Sequence, residues 1–200
     1  MKKPQLAIIE YKAGNLASVS NALKRIDAEF EITHDLNKLE AADGIIFPGV
    51  GHAQSAMESV LELNLQEFLK STRKPVLGIC VGMQLLFEST EESEIPSLEL
   101  ISGRLKKFDS SLDKVPHMGW NKIQIKQESH PLLHGLNDSS WFYYVHSYYA
   151  PVVPETIASC EYITPFSAIT AKDNVMGCQF HPEKSAKDGE QFLRNFIGLI

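Results

Sequence analysis

Apolar positions along this chain follow one rhythm in the first half and another in the second. Residues 6–9 form a continuous apolar run, short enough for a buried strand. Leu16, Val19, Leu23 and Ile26 then fall on one helical face, which predicts a helix over 15–27. Residues 30–33 and 44–47 read as further short strands. Met57, Val60, Leu61, Leu65 and Phe68 recur at helical spacing, and Val76–Cys80 is another apolar strand with a helix expected over 81–88. Strands alternating with helices predict a parallel sheet with right-handed crossovers. Beyond residue 100 the segments 100–108, 120–126, 142–150, 156–162, 166–172 and 175–180 read as strands with short connections, so mixed or antiparallel pairing is expected there. Phe192, Leu193, Phe196 and Ile197 give a closing helix its apolar face. No linker, repeat or low-complexity tract interrupts the chain, so residues 1–200 are expected to form one α/β domain.

Composition narrows the function classes. With 200 residues and 44% apolar content there is material for one sizeable core. The net charge of −6 and the lack of a basic block argue against a nucleic-acid partner. Phe142, Tyr143, Tyr144, Tyr148 and Tyr149 could form a base-stacking platform, but no basic residues interleave them, so core and pocket wall are the better reading. Apolar stretches fall far short of the ~20 residues a membrane span needs. The apolar run after the basic N-terminus is too short for a signal peptide. Three cysteines without a Cys-x-x-Cys pair fit a reducing compartment, so a cytoplasmic protein is expected, with Cys160 and Cys178 in the core. His130 and His134 are four apart, but Pro131 lies between them and no third ligand is near, so a loop is expected and no metal; nothing calls for a cofactor.

The candidate chemistry begins at Cys80. An apolar strand ends on it, a helical run starts after it, and Gly78 and Gly82 flank it two residues away on either side. That is a strand-to-helix nucleophile elbow, with glycines where neighbouring backbone must come close. A helix N-terminus would also favour the thiolate. A lone cysteine is more often buried and inert; the paired glycines favour the elbow. The run from Gln179 to Ser185 supplies the rest. His181 is a candidate base and Glu183 its orienting group, with Pro182 stiffening the link. Residues 175–180 read as a strand delivering His181 at its C-terminal end, the end at which the elbow of a parallel sheet opens. A surface loop is the alternative for His181 alone. The strand running into Gly49-Val50-Gly51 ends in a turn whose spacing fits neither a P-loop nor a dinucleotide fingerprint. A backbone N–H of that turn and the N–H of Val81 are candidate oxyanion donors. A cysteine peptidase or esterase could use the same elbow, but Gln84 places a polar group in a small pocket; an intact Cys80, His181 and Glu183 argue against a non-catalytic subunit.

The segments Gly78-Ile79-Cys80-Val81-Gly82-Met83-Gln84-Leu85-Leu86-Phe87, Pro48-Gly49-Val50-Gly51 and Gln179-Phe180-His181-Pro182-Glu183-Lys184-Ser185 resemble the class I (triad) glutamine amidotransferases. Three more, Val115-Pro116-His117-Met118-Gly119-Trp120-Asn121, Phe142-Tyr143-Tyr144-Val145-His146-Ser147-Tyr148 and Gly14-Asn15-Leu16, are similar to the glutaminase subunits of imidazole glycerol phosphate synthases. The resemblance runs nearly end to end. It implies a three-layer fold, with a central, mostly parallel mixed sheet, helices on both faces and additional antiparallel strands in the second half. It implies hydrolysis of L-glutamine to glutamate and ammonia through a cysteinyl thioester. The ammonia would pass to a (β/α)8-barrel cyclase subunit in a heterodimer, for imidazole glycerol phosphate and AICAR formation in histidine biosynthesis. It assigns Cys80, His181 and Glu183 as the triad and Val50 and Val81 as oxyanion donors. Gly49, Gly51, Gln84, His146, Ser147 and Tyr148 would bind glutamine, and Asn15, Trp120, Tyr143 and Lys184 would face the barrel and the ammonia passage. The family usually has Tyr-Gly-x-Gly-Asn near the start, where this chain has Tyr11-Lys12-Ala13-Gly14-Asn15. Lys12 thus stands beside the expected docking face, and a related glutaminase serving another synthase, such as one aminating a surface-sugar precursor, is the alternative.

Overall fold

A computed structural model describes residues 3–12 and 15–200; Gly14 of the Gly-Asn-Leu segment lies outside the described residues. The first half alternates as expected: β1 (Gln5–Ile9), α1 (Leu16–Arg25), β2 (Glu29–Thr33), α2 (Leu36–Ala41), β3 (Gly44–Gly49), α3 (Ala53–Glu62), α4 (Leu65–Ser71) and β4 (Val76–Cys80). Two short elements follow, α5 (Val81–Gln84) and β5 (Phe87–Thr90). The second half is mostly strands: β6 (Ile101–Lys107), β7 (His117–Lys122), β8 (Gln124–Ile125), β9 (Trp141–His146), β10 (Tyr148–Tyr149), β11 (Thr156–Tyr162), β12 (Thr164–Lys172) and β13 (Val175–Cys178), closed by α6 (Ala186–Ile197).

The main sheet runs β2-β1-β3-β4-β13-β12-β11-β8. Its β2 to β13 half is parallel, and β12, β11 and β8 add antiparallel. The step from β1 to β2 goes one way across the sheet and the steps from β2 to β3 and β3 to β4 go the other. Right-handed crossovers therefore put α1 on one face and α2, α3 and α4 on the opposite face. The α6 helix joins α1 through an Arg25–Glu190 ion pair at 2.9 Å. Every residue of β3, β4 and β13 is buried, as strands covered on both faces must be.

Four local expectations need correction, and one helix, α2, is unexpected. The apolar face from Met57 to Phe68 belongs to two helices: Asn64 takes a left-handed φ of 56°, and the chain turns there. The helix expected over 81–88 ends at Gln84, because Phe87 pairs with Ile101 and the chain enters β5 instead. The short α2, capped by the Asp35 side chain on the Asn37 N–H at 2.8 Å, had too few apolar positions to show a period. Two longer segments are each split: 120–126 into β7 and β8, and 142–150 into β9 and β10.

Register positions the chemistry. Gly49 sits opposite Cys80 in the β3/β4 ladder, and Cys178 opposite Ile79 in β13/β4. The C-terminal ends of these three strands thus lie side by side. The β7/β9 ribbon stands over them, tied down where the His181 N–H donates to the Tyr143 carbonyl at 2.9 Å.

Candidate active site

Cys80 ends β4 with φ 54° and ψ −109°, a conformation an L residue adopts only where its surroundings hold it. The crowding is visible at its glycines. A Cβ on Gly82 would lie 1.9 Å from the Phe47 carbonyl oxygen, and one on Gly78 would lie 2.7 Å from the Met83 nitrogen. Only glycine lets β3 and β4 close on the turn, and the turn aims the thiol into a cavity. The helix after it has four residues, so its dipole is a small part of any thiolate stabilisation.

His181 follows β13 and opens a 3-10 turn over Pro182–Lys184. Its Nδ1 lies 2.8 Å from Glu183 Oε1, and both side chains are 1% exposed. Its backbone is fixed as well: Ser185 Oγ–H donates to the His181 carbonyl at 2.6 Å and accepts from the Tyr143 N–H at 2.9 Å. The Nε2 atom is buried and without a hydrogen-bond partner in the described residues. Burial opposes the imidazolium, but interaction with Cys80 and with Glu183 outweighs it, so the imidazole is held well above its ordinary basicity. The arrangement favours the imidazolium form of His181.

Cys80 and His181 line one cavity of about 500 Å³. Val50, Gly51, Val81 and Gln84 share its wall, as do His146, Ser147 and Tyr148 on the opposite side. Asn15 and Lys184 line it too. Gly49 does not; it packs under the elbow, where a Cβ would meet Gly82 N at 2.5 Å. Trp120 and Tyr143 lie outside it on the β7/β9 ribbon, edge to face, with Lys184 Nζ 5.8 Å from the Tyr143 ring centre. Trp120 is half exposed and Met118 beside it more so, leaving apolar surface on that ribbon.

His146 does not offer a free ring nitrogen. Its Nδ1 is 2.8 Å from the Tyr148 carbonyl and its Nε2 is 3.0 Å from His117 Nδ1. Burial pushes both rings down, His117 to about 4 and His146 to about 3, so both are neutral near pH 7. Gln84 Nε2 also donates to the Tyr148 carbonyl, at 3.1 Å. His146 thus braces the cavity wall.

Two residues escaped the sequence reading. Glu92 lines the cavity, and its Oε2 accepts from the Ala53 N–H at 2.8 Å. Gln179 lies beneath, fully buried, with Nε2 3.7 Å from Cys80 Sγ. Glu92 is one of several glutamates in a polar stretch, and Gln179 sat in view in the His181 segment without anything to mark its side chain. The other cysteines, Cys160 and Cys178, are buried in the core, their thiols pushed up by burial, Cys160 to about 12. His130 accepts from the Leu132 N–H at 3.2 Å and so caps a short turn.

Comparison with known proteins agrees with this geometry. The family model "Glutamine amidotransferase class-I" matches residues 8–199. The imidazole glycerol phosphate synthase subunit HisH of Bacteroides thetaiotaomicron is 46% identical, with 98% of this chain and all of that protein covered. The subunit of the same name from Methanosarcina acetivorans is 48% identical, with 98% of each covered. Among solved structures, a chain of PurLQS from Thermotoga maritima superposes with a TM-score of 0.72 at 17% identity, covering 99% of this chain and 99% of that one, a likeness of fold. An elbow cysteine facing a buried His–Glu pair, on a fold and a sequence matched over nearly their full length, places this chain in the class I glutamine amidotransferase family.

Proposed function

We propose that this chain is the glutaminase subunit of an imidazole glycerol phosphate synthase. The observation that carries the reading is the meeting of Cys80, His181, Gln84 and Glu92 around one cavity in a chain so similar to HisH subunits. Glutamine enters with its carboxamide at Cys80. Glu92, one oxygen held by the Ala53 N–H, presents the other to the α-ammonium. Gln84 contributes from the adjoining wall.

The Cys80 thiolate attacks the carboxamide carbon. The new oxyanion takes hydrogen bonds from the Val81 N–H and the Val50 N–H, which β3/β4 pairing brings to the same end of the sheet. His181, as the imidazolium, gives its proton to the leaving nitrogen, and ammonia departs from a cysteinyl thioester. Neutral His181 then takes a proton from water as it attacks the thioester. Glutamate leaves, and the thiolate–imidazolium pair returns. Glu183 keeps the imidazole in the tautomer that turns Nε2 to the sulfur.

The partner is a cyclase subunit with a (β/α)8 barrel, seated over Asn15, Trp120, Tyr143 and Lys184, so that ammonia passes between the subunits. Lys12, the departure beside that face, pairs with Glu62 at 2.6 Å, so its charge is matched within the chain. The similarity to HisH subunits over nearly the full length of both chains favours the imidazole glycerol phosphate synthase over a synthase of another pathway. No helix among the described residues is long and apolar enough to cross a membrane, and three free cysteines fit the cytoplasm. The test is glutamate release from glutamine with and without the cyclase subunit. Cys80→Ser should lose on the order of 10³-fold or more while the complex still uses ammonium salts. A Cys80→Ser complex that uses glutamine at the wild-type rate refutes the assignment.

A further inference from the structure

A chain of hydrogen bonds runs beneath the cavity to the sulfur, and the chemistry of its atoms fixes the direction of every link. The Tyr148 carbonyl can only accept. The His146 Nδ1 that lies 2.8 Å from it therefore carries hydrogen, and the Gln84 atom 3.1 Å from it is nitrogen. Neutral His146 then has a bare Nε2 and accepts from His117 Nδ1–H. His117 Nε2 in turn accepts from Asn121 Nδ2 at 3.3 Å, and Asn121 also donates to the Glu161 carbonyl at 3.0 Å. On the other side, Gln84 gives its second hydrogen to Gln179 Oε1 at 3.1 Å. Gln179 must therefore turn its amide nitrogen toward Cys80 Sγ, 3.7 Å away.

That nitrogen is buried, and among the described residues the sulfur is the acceptor it reaches. A buried N–H without an acceptor is costly. A thiol is a weak acceptor and a thiolate a strong one, so the surroundings of Gln179 are satisfied by the ionised nucleophile. We propose that Gln179 is a positioning residue for Cys80: its N–H, oriented through Gln84 by the Tyr148 carbonyl, stabilises the thiolate and fixes its direction opposite His181. The inference rests on Cys80 as the nucleophile of the proposed glutaminase, and it deepens that assignment. It also ties a residue that touches substrate, Gln84, to the reacting sulfur through one carboxamide.

The test is the pH dependence of Cys80 alkylation by iodoacetamide in the full chain, a readout that needs no glutamine. Among the described residues, the titratable groups around the sulfur and its cavity are His181 from the turn after β13 with Glu183 behind it, Tyr11 after β1, Cys178 on β13, and His146, Glu92 and Lys184 on the cavity wall. Tyr11 and Cys178 are held protonated by burial. Gln179→Met removes the donor at similar length, and its alkylation midpoint should rise by about one to two pH units. Gln179→Leu, which also lacks a donor and serves should the methionine variant fail to fold, should raise it by a similar amount. In the complex both should lose about 10- to 100-fold in kcat with little change in KM. A folded variant, judged by its melting curve, with an unchanged midpoint overturns the proposal. If the midpoint moves but the wild-type complex makes no glutamate, the role of Gln179 stands and the glutaminase reading falls.

Discussion

Replacing Glu183 with glutamine should weaken catalysis without removing it, and the structure sets the size of the loss. Glu183 Oε1 sits 2.8 Å from His181 Nδ1 in a site closed to water. Glutamine can still present an oxygen there, so the tautomer survives while the charge is lost. A charge-assisted hydrogen bond contributes roughly 1.5–3 kcal/mol and a neutral one roughly 0.5–1.5. The difference, about 1–2 kcal/mol, is roughly a 5- to 30-fold loss in the rate of acylation. His181→Asn removes the proton carrier itself and should cost roughly 10²–10⁴-fold. The pH profile gives a second, independent sign. Glu183 helps hold His181 above its ordinary pKa, so the protonated imidazole persists to higher pH in the wild type. Removing that charge lowers the imidazole, and the alkaline limb of kcat/KM should move to lower pH. The assay is single-turnover glutamine hydrolysis in the complex across pH, with melting curves to check folding. Equal losses in the two variants, a worse glutamine variant, or an alkaline limb that stays or rises would refute the roles given to this pair.

An electrophilic glutamine analogue should label Cys80 and spare Cys160 and Cys178, because only Cys80 lines the cavity while burial keeps the other two thiols protonated; peptide mass mapping that finds all three labelled at similar rates would count against a specially activated Cys80. Gly82→Ala should destabilise the fold by about 3 kcal/mol or more, measured by denaturant unfolding, since its Cβ would lie 1.9 Å from a backbone oxygen of β3; a near-neutral result would mean the elbow relaxes freely. The isolated chain should be a weak glutaminase that the ligand-bound cyclase stimulates, through turnover of the Gly49–Val50 peptide that completes the oxyanion hole; one absent donor is enough for about 10²–10³-fold. Gly51→Ala, with φ 95° and open space around its Cβ, should blunt that stimulation, whereas Gly49→Ala collides with the elbow and should lower basal and stimulated activity together. Full activity in the isolated chain would refute the switch.

What the sequence determined by itself was whatever depends on neighbours a few residues apart. Gly78 and Gly82 about Cys80 announced the elbow because the turn is local, and a turn's steric demands are written in the residues that make it. His181 and Glu183 stand two apart, so their pairing needed only the short turn that Pro182 helps set. The alternation of apolar runs gave the parallel half of the sheet for the same reason. The tertiary structure decided everything that depends on register and long-range approach. Helical spacing from Met57 to Phe68 could not show that Asn64 turns left-handed, and the apolar run after Gln84 reads as helix until Phe87 meets Ile101. Glu92 reaches the cavity only because β5 carries it to the start of α3, where the Ala53 N–H holds it. Gln179 meets Gln84 and Cys80 across 95 and 99 residues, and His117 meets His146 across 29, with the directions of these bonds set by the Tyr148 carbonyl, which can only accept. Such links are made by packing, and packing brings together residues whose spacing along the chain carries no period to read.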